Sequence, residues 1–281
     1  MGSEGPKPAV IIHVTGFKKF HGVSENPTET VVNNLQNYMN KRGLPKGLNL
    51  GSCTILETAG QGATGSLYQT LQSAVINDTT PSHAATVIWR GTLHMRVGHG
   101  QSRTSSLMRK QYLYAKSGGN MITFMVHFGV NSGATRFVIE QQAVNEATFR
   151  CPDELGWKPQ KVPIVPADGA ISRTREFVFG DTFVVVVIMI HGHISITGSY
   201  VGTSLPVEDI TKSLAKMGYE VMTSDDAGRF VCNYVYYHSL RFAEVNRIKS
   251  LFVHVPLFCT IDEETQMQFA ASLLEVLASL Y

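Results

Sequence analysis

The chain has 281 residues, a formal net charge of +2 and a hydrophobic fraction of 43%. That length suits one large α/β domain or two small ones, with enough apolar sequence for a full core. The charge is too small to imply a nucleic-acid or membrane partner. The longest apolar run, FVVVVIMI at 183–190, falls well short of the ~20 residues a bilayer span needs.

The four cysteines, Cys53, Cys151, Cys232 and Cys259, form no CxxC pair and no framework of secreted type. The opening MGSEGPKP has no apolar signal region, and Pro6 stands where a myristoylation signal wants Ser or Thr. A cytoplasmic setting is therefore expected.

Ala9 to Val14 is a dense β-branched run that reads as a buried first strand, ending in Thr15-Gly16-Phe17. Asn26-Pro27-Thr28 opens a helix to about Lys41, with Asn26 as N-cap and Pro27 as first helical residue. A strand at 53–56, a helix at 66–75 and a strand beginning at 86–89 follow. Residues 137–144 read as one further strand. A helix at 207–217, a strand at 219–222, a helix at 232–243, a buried strand at 250–255 and an amphipathic helix at 263–280 complete the series. Alternation of this kind predicts an α/β fold with a mostly parallel sheet.

Two segments break the rhythm. Residues 90–125 hold six basic residues and no acid as far as Lys116, without periodicity. Residues 176–202 hold the FVVVVIMI run followed by HGHISITG. Removing the first would join ATVIW to VHFGV as one strand. The chain therefore reads as a single domain over 1–281 with insertions at about 90–125 and 176–202, of the kind that retained intron sequence would supply.

Three residues carry the candidate chemistry. Cys232 ends a polar turn after a strand and opens a helix, where the helix dipole favours a thiolate nucleophile. The competing reading is a small buried residue. His254 lies near the end of an apolar strand, where open α/β sheets place their sites; alone, it reads equally as a core histidine. Glu140 sits inside the apolar FVIE, a costly position unless paired. A histidine partner would satisfy it and fix the imidazole tautomer, and an edge-strand surface position is the alternative.

Together these segments resemble the pyroglutamyl peptidase type I, or pyrrolidone carboxyl peptidase, family. The resemblance is carried by VTGFKKF at 14–20 with Asn26-Pro27, by GVNSGATRFVIEQQAVN at 129–145, by Arg150-Cys-Pro-Asp153 with Gly156, by SDDAGRFVCN at 224–233 and by FVHVP at 252–256. The order glutamate, cysteine, histidine is also the family's.

The resemblance implies a three-layer αβα sandwich and a Cys232–His254–Glu140 triad working through a thioester. It further implies oxyanion donors from the Cys232 backbone N–H and the Arg150 side chain. The substrate pocket would hold Phe17, Phe20, Cys151, Phe230 and Val231, with Asn26 bracing its loop. The implied substrates are peptides with an N-terminal pyroglutamyl residue, and no cofactor or metal is implied; the chain could form a homo-oligomer. Gln141, Val130 and Cys151 depart from the family pattern, which bears on ring specificity more than on the triad.

Two other readings compete. Gly60-Gln-Gly-Ala-Thr-Gly65 is a GxGxxG between strand and helix, the local setting of a dinucleotide fingerprint. It is not in the first βα unit, and the next strand ends at Arg90 instead of an acid. A catalytically impaired or misprocessed isoform with a non-enzymatic role is the other. The HGH at 191–193, His94 and His99 lack a third ligand at metal-site spacing.

Overall fold

The computed structural model describes residues 9–76, 121–169, 172–174, 187–190, 193–196 and 205–281. The strand expected at 86–89 and most of both suspected insertions lie outside these residues. Ten strands and five α-helices are described: β1 Ala9–Phe17, α1 Pro27–Arg42, β2 Leu48–Leu56, α2 Gly60–Ile76, β3 Met121–Val130, β4 Phe137–Glu140, β5 Gln142–Val144, β6 Ser172–Thr174, β7 Val187–Ile190, β8 His193–Ile196, α3 Val207–Lys216, β9 Val221–Ser224, α4 Val231–Asn246, β10 Lys249–Val255 and α5 Glu263–Ser279.

The principal sheet has six strands in the order β2-β1-β3-β10-β4-β9. The first four are parallel; β4 runs antiparallel to β10 and parallel to β9. Period-two alternation assigns each strand's side chains to two faces. Val10, Ile12 and Val14 of β1 enter one core with α1, α3 and α5 residues such as Leu35, Leu214 and Phe269. Phe17, Met125 and Phe252 enter a second core with α2 and α4 residues such as Leu67, Leu71, Val235 and Tyr236. The result is a three-layer αβα sandwich. Among the described residues, no helix is long and apolar enough to cross a membrane.

Local chemistry explains the element boundaries. Asn26 Oδ1 accepts from Thr28 N–H at 3.0 Å, capping α1 ahead of Pro27. Asp262 caps α5 by accepting from Thr265 N–H at 2.8 Å. Gly218, at φ +95°, turns the chain after α3 through a conformation that only glycine adopts freely. This turn delays the next strand to Val221, two residues beyond the sequence expectation.

Two expectations need correction. Residues 137–144 are not one strand. The ladder of β4 ends at Glu140, and Gln141 N–H donates to Ser224 O. The chain then leaves the main sheet, and β5 pairs antiparallel with β6. Residues 121–125, set apart as part of an insertion, belong to β3, where Ala9–His13 of β1 pair with Met121–Met125. In the second segment, β7 and β8 form an antiparallel hairpin, Val187 opposite Ile196.

Candidate active site

The topology puts Glu140, Gly129 and His254 on neighbouring strands. His254 of β10 lies beside Gly129 of β3 on one side and Val138 of β4 on the other. Phe252, two residues before His254, is opposite Glu140. Residues that pair across a ladder share a face, as do residues two apart along a strand. Glu140, Phe252, Gly129 and His254 therefore all face α4.

Glu140 and His254 are both buried. His254 Nδ1 meets Glu140 Oε1 at 2.7 Å. This bond holds the ring so that Nε2 is the nitrogen left for other chemistry. Glu140 is also held through its backbone, since its carbonyl accepts from Tyr236 OH at 3.0 Å.

Cys232 is the second residue of α4 and is partly buried. The N-cap residue, Phe230, makes no side-chain capping bond. The first-turn amides, which intrahelical bonding leaves over, are thus free of a side-chain cap. Two contacts aim the thiol at the sheet. The first is space: a Cβ built on Gly129 would lie 2.9 Å from Cys232 Sγ, so the sulfur fills room that exists only because residue 129 has no side chain. The second is charge: the His254 imidazole is raised chiefly by Cys232, which places the sulfur within electrostatic reach of the ring.

Burial alone would depress the His254 imidazole. The charge of Cys232 and its hydrogen bond, then the Glu140 bond and charge, outweigh that and raise it to about 10. The site therefore favours the protonated imidazole.

The turn before α4 is built locally. Asp226 Oδ1 accepts from Gly228 N–H and from Arg229, and Gly228 takes φ +79°. Asn233, next to the thiol, grips the segment after Glu140. Its Oδ1 accepts from Val144 N–H, and its Nδ2 donates to Val144 O and Glu146 O. One helical turn thus presents the thiol and fixes the chain that leaves the glutamate.

The other residues expected at the site divide into two groups. Phe17 and Val231 are buried in the second core, with Phe230 and Cys232 partly buried against it. Phe17 lies 6.3 Å from the Phe252 ring and Phe230 lies 4.6 Å from the Phe149 ring. Asn26 is buried and bonds the 17–26 loop from within, through Nδ2 to Lys18 O. Phe20 is partly exposed and bridges to Val23 in the same loop. Arg150 and Cys151 are exposed on the segment after Phe149. Gly129, Tyr236 and Asn233 gained no role from sequence reasoning. Their only signals were a glycine inside a buried strand and polar side chains one and four residues past the cysteine.

The GxGxxG reading is overturned here. Gly60 N–H, at the start of α2, donates to Asp153 Oδ2 at 2.9 Å, so a carboxylate of the same chain occupies the position a phosphate would need. A Cβ on Gly60 would come within 2.7 Å of Trp157, and one on Gly62 within 2.6 Å of Leu155. These glycines admit the 153–157 turn against the helix.

Comparison with known proteins agrees with this architecture. Residues 187–276 match the family model described as pyroglutamyl peptidase, a stretch that begins inside the 176–202 segment and holds both Cys232 and His254. The pyrrolidone-carboxylate peptidase of Pyrococcus furiosus is 31% identical over 133 residues, 47% of this chain and 50% of that protein. The enzyme of that name from Enterococcus faecalis is 30% identical over 153 residues, 53% and 57% of the two chains. Over these stretches the chain is similar to the pyroglutamyl peptidases.

The chain spans about half the length of the curated pyroglutamyl-peptidase relatives it matches. In three dimensions the likeness reaches further. Pyrrolidone carboxyl peptidase from Thermococcus litoralis superposes with a TM-score of 0.59 at 19% identity, covering 95% of this chain and 92% of that one. A mutant of the Pyrococcus furiosus enzyme gives 0.61 at 22% identity, covering 96% and 100%. The likeness is one of fold: this chain shares the α/β fold of those structures.

Proposed function

We propose that this protein is a cysteine peptidase that hydrolyses the bond after an N-terminal pyroglutamyl residue. The observation that carries the reading is the row Cys232–His254–Glu140: the imidazole is bonded to a buried carboxylate, and Cys232 Sγ sits over Gly129, the residue paired with His254.

In this reading the Cys232 thiolate attacks the carbonyl carbon of the pyroglutamyl residue. The tetrahedral oxyanion takes hydrogen bonds from the Cys232 backbone N–H and the Arg150 guanidinium. Such donors each contribute about 3 kcal/mol to the transition state. The His254 imidazolium gives its proton to the departing amine, leaving a thioester on Cys232. Neutral His254 then takes a proton from water, which attacks the thioester and releases pyroglutamate, restoring the Cys232 thiolate and the His254 imidazolium. Glu140 orients the ring and balances its charge throughout.

The flat, uncharged lactam suits a wall without an acidic side chain. Phe17, Phe20, Phe230 and Val231 are the residues assigned to it, with Asn26 bracing the loop that carries the first two and Cys151 at the rim. Support comes from the packing of Phe17 and Val231 into the core beside Cys232.

The test is release of aminocoumarin from a pyroglutamyl-aminocoumarin amide. Wild-type protein should release it, and Cys232→Ser should lower kcat by a factor on the order of 10³ or more. Folded wild-type protein that releases none, or a Cys232→Ser variant as active as wild type, would refute the proposal.

A further inference from the structure

Beneath Cys232, on the same face of the sheet, runs a chain of polar side chains that the proposed reaction does not use. His127 Nδ1 meets Thr15 Oγ1 at 2.7 Å, and His127 Nε2 meets Ser239 Oγ at 2.7 Å. Ser239 Oγ meets Ser250 Oγ at 2.8 Å. The four residues belong to β1, β3, α4 and β10, and all are buried. Burial holds the His127 imidazole down to about 3, so it stays neutral and places no second positive charge near His254.

A buried polar chain gives little net stability over apolar side chains of similar shape, because each group gives up its bonds to water. What it adds is direction. A hydrogen bond weakens steeply with misalignment, whereas an apolar contact tolerates sliding.

The chain lies where sliding would matter. Ser239 follows Cys232 by seven residues, two helical turns, so both stand on the face of α4 turned to the sheet. His127 precedes Gly129 by two residues, so both stand on the face of β3 turned to α4. Cys232 on Gly129 and Ser239 on His127 are therefore two rungs of one helix–strand contact. The upper rung is a close fit with no bond. The lower rung is bonded and continues to Ser250, four residues before His254 on β10. The His127 ring also stacks on Phe252, at 6.1 Å and 26°, and Phe252 lies 5.0 Å from the His254 ring.

We propose that His127, through Ser239 and Ser250, is a positioning residue that fixes the axial register of α4 on β3 and β10, and so keeps Cys232 Sγ over Gly129 and against His254. The proposal rests on Cys232 being the nucleophile. It assigns His127 no contact with substrate.

The test uses Ser239→Ala, which removes the lower rung without adding bulk, and Ser250→Ala, a milder change that removes only its outer bond. Two quantities are read: the rate of iodoacetamide alkylation at Cys232, and kcat and KM on the coumarin amide. Alkylation is resolved by peptide mass spectrometry, because Cys151 and Cys259 are exposed whereas Cys232 is partly buried.

Ser239→Ala should slow Cys232 alkylation and lower kcat together, each by about tenfold, within the hundredfold that an ångström of misplacement costs, while KM stays within about twofold. Ser250→Ala should move both the same way by less. A melting temperature that falls while alkylation and kcat hold within about twofold of wild type, in either variant, would reduce the chain to a structural role and overturn the proposal. If Ser239→Ala does not fold, Ser250→Ala decides by the same criteria. If wild type cleaves no pyroglutamyl amide, the peptidase reading falls by itself, and the Ser239→Ala alkylation ratio still decides whether the His127–Ser239 link positions the thiol.

Discussion

Gly129→Ala is the sharpest single perturbation of this site. A Cβ at 129 would come 2.6 and 2.8 Å from two Phe252 ring carbons and 2.9 Å from Cys232 Sγ. Carbon contacts relax at about 3.5–4.0 Å, so close to an ångström must be found. The backbone is not the difficulty, since Gly129 is not among the glycines of positive φ. Neither neighbour yields easily. Phe252 is held by the rings of Phe17, His127, Tyr236 and His254, and Cys232 by the first turn of α4. Overpacking of this kind costs about 1–3 kcal/mol of stability. The same displacement at the nucleophile should lower kcat by about 10- to 100-fold. Denaturant unfolding and coumarin release measure the two. Gly65→Ala serves as the internal control: nothing lies within 4 Å of its Cβ position in α2, and alanine there should add about 0.5–1 kcal/mol without touching kcat. A Gly129→Ala protein with wild-type kcat and an unchanged unfolding midpoint would show that the sulfur does not occupy the space above residue 129.

Two further outcomes follow from the charges and loops around the site. The folded state raises His254, so the stability from its pairing is fully present below about 6.5 and is lost progressively as pH rises to about 10, where the folded protein gives up the proton. Glu140→Gln removes one supporting charge and should move the alkaline limb of the kcat profile to lower pH, by about one unit or more, with lower kcat at the optimum; an unmoved limb would exclude Glu140 as the partner that sustains the imidazolium. Asp153 is buried and accepts from the backbone N–H groups of Gly60, Leu155 and Trp157. Asp153→Ala should cost about 1–3 kcal/mol in unfolding free energy and raise amide exchange at those three positions; exchange unchanged at Gly60 would rule out the cap on α2.

Much of the fold was legible along the chain. The β-branched runs of β1 and β10, the Asn26-Pro27 start of α1 and the glycine turn into α4 are local features, each with its own physical signal. Four of the helices lie near their expected places because caps and periodicity act within a few residues, whereas α2 begins at Gly60 and not at residue 66, taking in the glycines read as a loop. The break after Glu140 was not legible, since FVIEQQAV has continuous strand character and the chain leaves the sheet because Gln141 finds Ser224 and Gln142 finds Thr174. The glycines at 60 and 62 were misread for a similar reason. Their spacing matches a phosphate loop, but the anion they face is Asp153, 93 residues from Gly60.

The residue types of the site were present in the chain order, as a cysteine opening a helix, a histidine ending an apolar strand and a carboxylate in a hydrophobic run. Each had an ordinary structural explanation taken alone. What only tertiary structure decided is their convergence: β4 runs against β10 so that Glu140 reaches His254, and β3 offers a residue without a side chain where Cys232 descends. Local sequence sets propensities over a turn or a strand, because those forces act between near neighbours. The active geometry depends on contacts 22 and 114 residues apart, between Cys232 and His254 and between His254 and Glu140, which exist only once the sheet has ordered its strands.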